Sequence, residues 1–232
     1  MKEPLLLLHG AISCRKQFEP LLPLLESNYN VYAPDFPGHG GTIIPETIFS
    51  IPFFASFVLD YMDANKIQKA SVFGYSMGGY VGLYLAAHHP DRIRQVFTLA
   101  TKFGWTPSVA EKESAMLDPE KISAKVPAFA ARLEQLHAPQ DWKTVLVKTS
   151  GMLRALGNNP ALTDEILRSI EVPVCIGIGA LDKMVSVEES KHAASQIPNG
   201  KLLLLPETEH PFEKVDPNML AETIQSVIRI VR

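Results

Sequence analysis

Ser76 is the residue whose setting suggests a nucleophile. It stands in Gly74-Tyr75-Ser76-Met77-Gly78-Gly79, after the apolar run Ala70-Ser71-Val72-Phe73 and before the helix-like stretch Tyr80 to Ala87. Strand, sharp turn with serine at its apex, then helix is the context of a nucleophile elbow. Such a turn needs a strained backbone at the serine, with glycine two positions to either side where a side chain would strike the neighbouring strand or helix. The plainer alternative is a chance G-x-S-x-G in an ordinary strand-to-helix turn. The remaining residues decide between the two.

A serine hydroxyl reacts only when a base takes its proton, and a histidine held by a carboxylate is the usual base. Of seven histidines, His210 in Glu209-His210-Pro211 follows the last apolar run and falls at the same end of the strands as Ser76. His88 and His89 end the helix that begins at Ser76, which carries them away, and His39 lies in a Gly-rich loop. His137 and His192 fall on expected helices with no carboxylate evidently placed, and His9 suits a loop-pinning role. Asp182, after the fifth strand, is the favoured acid, with Glu209 and Asp35 as competitors. Developing negative charge on an acyl oxygen needs two converging N–H groups. Met77, at a helix start, and Ala11, after His9-Gly10, are placed to supply them.

Apolar runs at Leu5–Leu8, Val31–Ala33, Ala70–Phe73, Ile93–Leu99, Val174–Ile178 and Lys201–Leu205 read as strands. Helical segments between them, near 16–25, 52–65, 187–196 and 217–231, imply parallel strands joined by right-handed crossovers. Ligands on such sheets sit beyond the carboxyl ends of the strands. Ala11, Ser76, Thr101 and Asp182 should therefore gather on one rim. Residues 102–162 carry helical periodicity without strands. Asp118-Pro119 marks a helix start, 127–137 a second helix and 141–156 a third, with Gly157 as its expected stop. The expected organisation is a core of 1–101 and 163–232 with a helical lid at 102–162.

With 232 residues and 46% hydrophobic content, one domain with an insertion is expected, and disorder is excluded. A net charge of −3 without basic clusters argues against nucleic acid and anionic membranes as partners. No run nears the roughly 20 apolar residues of a membrane span, and the short leucine run after Met1-Lys2-Glu3-Pro4 does not suit a signal peptide, so a cytoplasmic setting is expected. Two cysteines, Cys14 and Cys175, form neither a disulfide framework nor a zinc pattern, and no cofactor or metal is expected.

With His9-Gly10, Asp35-Phe36-Pro37-Gly38-His39-Gly40, the elbow, the acid and the histidine in order, the chain resembles the α/β-hydrolase superfamily over nearly its whole length. The resemblance implies an α/β fold with a mostly parallel six-stranded sheet, helices on both faces and a small helical lid. It also implies a Ser76–Asp182–His210 triad with Ala11 and Met77 as oxyanion donors. The chain departs from the family in two places. Only four residues precede the first strand, so the N-terminal strand pair should be missing, and His210 sits in E-H-P rather than a G-H-x-P-like context.

The expected activity is hydrolysis of a small, largely apolar ester or thioester through an acyl-enzyme, with a small molecule as the partner. Phe103, Trp105, Met116, Phe129, Trp142 and Met152 are candidate pocket walls, Trp105 foremost. Two alternatives stand beside this. One is a lyase or carbon–carbon bond hydrolase with the same triad, since the motifs also resemble the menaquinone-pathway lyase. That lyase carries an arginine where Tyr80 stands, and Arg132 or Arg154 would have to replace it. The other is a non-enzymatic ligand sensor.

Overall fold

The computed structural model describes residues 2–228. Six strands, β1 (Glu3–Leu8), β2 (Tyr29–Tyr32), β3 (Ala70–Tyr75), β4 (Ile93–Leu99), β5 (Val174–Gly179) and β6 (Gly200–Leu205), form one sheet in the order β2-β1-β3-β4-β5-β6. Every neighbouring pair is parallel. Among the described residues no antiparallel strand pair precedes β1 in this sheet, as its short lead-in suggested. Helices α1 (Leu22–Leu25), α2 (Ile51–Ala64), α3 (Met77–His88), α8 (Asp164–Arg168), α9 (Val187–Gln196) and α10 (Pro217–Val227) alternate with the strands. Between β4 and the short α8 lie α4 (Pro107–Ala115), α5 (Pro119–Lys125), α6 (Pro127–His137) and α7 (Trp142–Asn158).

Leu5 to Leu8 show why the apolar runs are continuous. Leu6 and Leu8 pack with α2 and α3, while Leu5 and Leu7 pack with α1 and α10 on the other face, and all four are fully buried. A strand covered on both faces has no solvent side to reward a polar residue. Each such leucine contributes roughly 2 kcal/mol of transfer free energy.

Three expectations are corrected. Residues 16–25 are not one helix. A 3-10 turn at Arg15–Phe18 and the single turn of α1 take their place, because Pro20 and Pro23 lack the N–H groups a continuous ladder needs. Gly157 does not stop α7, which runs on to Asn158. That glycine is instead the contact point with α4, where an added Cβ would lie 2.3 Å from the Ala110 Cβ. The expected C-terminal helix ends at Val227, and positions 229–231 of that expectation lie outside the described residues.

The loops above the sheet are joined by three fully buried imidazoles, His9, His39 and His137, with ring centroids 5.3 Å apart for the first pair and 5.8 Å for the second. His9 Nε2 accepts the Phe36 N–H at 3.0 Å, so its proton is on Nδ1, donated to the Gly10 carbonyl at 2.8 Å. That pins the first loop to the second, as expected of His9. His39 Nδ1 faces the Pro37 carbonyl at 3.2 Å, and its Nε2 has no hydrogen-bond partner among the described residues. Burial drives all three pKa values down: His9 to about 4, His39 well below the ordinary value, and His137 below it too, with mutual repulsion adding to the shift for His9 and His39.

Two measurements test this packing. In urea unfolding, Gly157→Ala should lose about 1–3 kcal/mol through overpacking against α4. Gly151→Ala, on the open face of the same helix, should gain about 0.4–1 kcal/mol; equal signs would mean that α4 and α7 are not in tight contact. The imidazoles hold fewer protons folded than unfolded between about pH 4 and 6.5. Stability therefore rises with pH there and is lost on acidification. Between pH 6.5 and 5 the unfolding free energy should change by more than one proton's worth, about 1.4 kcal/mol per pH unit. A flat profile would mean that the three rings are already hydrated.

Candidate active site

At Ser76 the backbone takes φ 50 and ψ −115 between the end of β3 and the start of α3. The left-handed region is costly for a residue with a side chain, so its surroundings must hold it there. The Ser76 N–H donates to the Leu99 carbonyl at 2.8 Å. Its carbonyl accepts the Thr101 hydroxyl at 3.0 Å and the N–H groups of Gly79 and Tyr80 at 3.1 and 3.2 Å. A Cβ on Gly74 would stand 2.5 Å from the Gly78 backbone, and one on Gly78 only 2.0 Å from the Leu8 carbonyl. Glycine at both places lets β1, β3 and α3 approach closely enough to form the turn.

His210, in the loop after β6, hydrogen-bonds through Nδ1 to Asp182 Oδ2 at 2.8 Å. The Asp182 carboxylate is fully buried, and its other oxygen accepts the N–H groups of Met184 and Val185 at 2.8 and 2.9 Å. Burial alone would raise its pKa. The His210 hydrogen bond, the two amides and the imidazole charge outweigh that and hold the pKa below the ordinary value. An ionised Asp182 accepts the hydrogen bond of the Nδ1–H, which keeps that proton on Nδ1 and leaves Nε2 of His210 as the basic face. The rival acids are occupied elsewhere, Asp35 by the Arg15 N–H at 2.6 Å and Glu209 by Lys214 at 2.7 Å.

Ser76, His210, Ala11, Met77 and Trp105 all line one cavity of about 360 Å³. Of the suggested wall residues, Trp105, Met116, Phe129 and Met152 line it, whereas Phe103 and Trp142 do not. Phe103 packs near Tyr80, and Trp142 is buried with Leu133 and Leu146 among α5, α6 and α7. Lys102 and Glu113 also face this cavity as an ion pair at 3.5 Å, and Lys102 Nζ donates to the Met184 carbonyl at 2.7 Å. A second cavity of about 750 Å³ shares Ala11, Ile12, Tyr75 and Phe129 with the first and opens past Arg132, Leu136 and Glu213.

Tyr80, which stands where the lyase has an arginine, accepts the Leu162 N–H on its hydroxyl at 2.9 Å. Arg132 and Arg154 pair on the surface with Glu213 and Glu111 at 2.9 and 3.0 Å, and neither lines the cavity of Ser76. His192, expected without a carboxylate, faces Asp164 at 2.9 Å in an exposed pair. Cys14 and Cys175 are both buried, and burial raises both thiol pKa values, Cys175 to about 11. Sequence reasoning passed over Tyr75. Its hydroxyl donates to the His210 carbonyl at 2.6 Å and its ring packs on Phe212 at 5.0 Å, bracing the histidine loop. Only its place beside Ser76 hinted at this. Among the described residues no cluster of three His, Cys, Asp or Glu side chains could hold a metal, and no helix is long and apolar enough to cross a membrane.

Comparison with known proteins agrees with the fold. A pimeloyl-[acyl-carrier protein] methyl ester esterase of Neisseria meningitidis serogroup C is 28% identical over 228 residues, covering 89% of this chain and 86% of the relative. Among solved structures, the enol-lactonase from Burkholderia xenovorans LB400 superposes with a TM-score of 0.79 at 21% identity, over 98% of this chain and 91% of that one. MenH from S. aureus does so with a TM-score of 0.77 at 23% identity, over 97% and 92%. These structural likenesses speak to the fold alone. Residues 3–156 match the alpha/beta hydrolase fold family, and with the six-stranded parallel sheet above, the chain belongs to that family.

Proposed function

We propose that this chain is a serine hydrolase that cleaves a small, largely apolar carboxylic ester or thioester through an acyl-enzyme. The observation that carries the reading is the Asp182–His210 hydrogen bond beside a cavity that both His210 and Ser76 line. Ser76 Oγ attacks the acyl carbon as His210 Nε2 takes its proton, and Asp182 stabilises the imidazolium that forms. The tetrahedral oxyanion is received by the main-chain N–H groups of Ala11 and Met77. Met77 is the first residue of α3, where donors lack intrahelical partners and the helix dipole favours an anion. The imidazolium then protonates the leaving alcohol or thiol. Water, activated by the same nitrogen, releases the acid and restores Ser76.

Residues 102–162 act as a lid, lending Trp105, Met116, Phe129 and Met152 as walls. The cavity at Ser76 suits a compact substrate portion, and the larger adjoining one suits the other portion of the ester. The Neisseria relative, named for cleaving a methyl ester, supports an ester as the substrate class. The lyase reading draws less support, since the cation facing the cavity is Lys102, already paired with Glu113. The sensor reading gives no reason for an ionised carboxylate aimed at His210.

A fluorophosphonate probe should label the wild-type protein and fail on Ser76→Ala; labelling that persists in the variant would exclude Ser76 as the nucleophile. Asp182→Asn keeps the shape but misorients the imidazole proton, so kcat should fall by roughly three to four orders of magnitude. Across p-nitrophenyl esters from acetyl to dodecanoyl, kcat/KM should peak at a short or medium chain. A profile still rising at dodecanoyl would contradict the compact acyl site.

A further inference from the structure

The Ala11 N–H sits at the end of a short hydrogen-bonded chain of peptide groups that begins on the lid. Gly10 to Ser13 form a tight turn in which the Ser13 N–H donates to the Gly10 carbonyl at 3.3 Å. Ile12, third in that turn, has φ 53, a strained value for a β-branched residue. The carbonyl of Gly10 and the N–H of Ala11 belong to one peptide plane and point opposite ways. Whatever holds the Gly10 oxygen therefore aims the Ala11 donor. Two groups hold it: the Nδ1–H of His9 at 2.8 Å and the Ser13 N–H. The Ser13 N–H in turn shares a peptide plane with the Ile12 carbonyl, and that carbonyl meets His137 Nε2 at 3.2 Å.

His137 is fully buried at the end of α6, and its tautomer is fixed by its partners. The Gly40 N–H donates to Nδ1 at 3.2 Å, so Nδ1 carries no proton and Nε2–H must be the donor to Ile12. The series runs from His137 Nε2–H to the Ile12–Ser13 peptide, then to the Gly10–Ala11 peptide, and ends at the Ala11 N–H. Hydrogen bonds in series polarise one another, and each link restrains the orientation of the next plane. The ring has no direct contact with Ser76 or with the cavity beside it.

We infer that His137, supplied by the lid, is a positioning residue that fixes the strained Ile12 turn and so aims the Ala11 N–H at the oxyanion. The inference rests on the serine hydrolase reading. It makes α6 part of the apparatus that stabilises the transition state, besides being a wall. The two ring nitrogens have separate jobs, Nε2 toward the oxyanion loop and Nδ1 toward the Gly40 loop. That separation gives the test its resolution, because glutamine places an N–H near the Nε2 position, whereas asparagine reaches only the Nδ1 position.

The experiment compares kcat and KM of wild type, His137→Ala, His137→Gln and His137→Asn on one p-nitrophenyl ester, with each variant's unfolding temperature recorded. Full loss of an oxyanion donor costs about 100- to 1000-fold in kcat, so misaiming one should cost about tenfold or more in His137→Ala with KM within about threefold. His137→Gln should recover most of that loss and His137→Asn should not. If His137→Ala does not fold, the Gln and Asn pair carries the comparison alone. The inference is overturned if His137→Ala keeps kcat within twofold of wild type, if the change falls on KM alone, or if Asn restores kcat as well as Gln does. Wild-type turnover and Ser76 labelling report separately on the hydrolase reading, so failure of one is not mistaken for failure of the other.

Discussion

The architecture depends on one unfavourable backbone conformation. Ser76 must stand at positive φ, and nothing in its own chemistry favours that. What compensates is contact. β1 and α3 come close enough that a Cβ on Gly78 would overlap the Leu8 carbonyl. The end of β4 supplies an acceptor for the Ser76 N–H, and Thr101, just past it, a hydroxyl for its carbonyl. Strained positions cluster at the same rim. Ile12, Ser76, Ala100 and Glu207 all have positive φ, and they lie just past the ends of β1, β3, β4 and β6. The sheet below is regular and apolar, and that rigidity is what can hold four such residues without relaxing them.

This division between a regular sheet and a strained rim also explains what could be read from the sequence. The central strands were legible because a strand buried on both faces must be apolar throughout, and Leu5 to Leu8 or Val174 to Ile178 admit little else. The half-exposed edge strands β2 and β6 still carry short apolar runs. The meeting of Ser76 with His210 in one cavity was legible through topology, since parallel strands put every strand-to-helix loop on one edge. α4 was not legible. Its mean composition is polar, and it is held by the small residues Ala110 and Gly157 against α7, a contact that leaves no periodic signal. Gly157 misled for the same reason, because a glycine needed for close approach looks in sequence like one needed to end a helix.

Tyr75 and His137 were illegible in a different way. Each acts through a contact far along the chain, Tyr75 to His210 and His137 to Ile12, and no local pattern encodes such a pair. His137 looked like an ordinary helix-end residue. Only the folded chain reveals that both of its ring nitrogens are engaged, one by each of two loops. The buried histidine trio thus links the first loop, the Gly-rich loop and α6 within a space too dry to charge any of its members readily.

The bond from the Tyr75 hydroxyl to the His210 carbonyl has a dynamic consequence. The loop that carries the imidazole comes from the sheet's edge strand β6, three places away from β3, and on its own would drift with that edge. Tethered to the residue before Ser76, it instead shares the central strand's excursions. Slow twisting of the sheet then displaces the Ser76 and His210 side chains as common-mode motion, and the distance between them is buffered against the breathing of the platform beneath it.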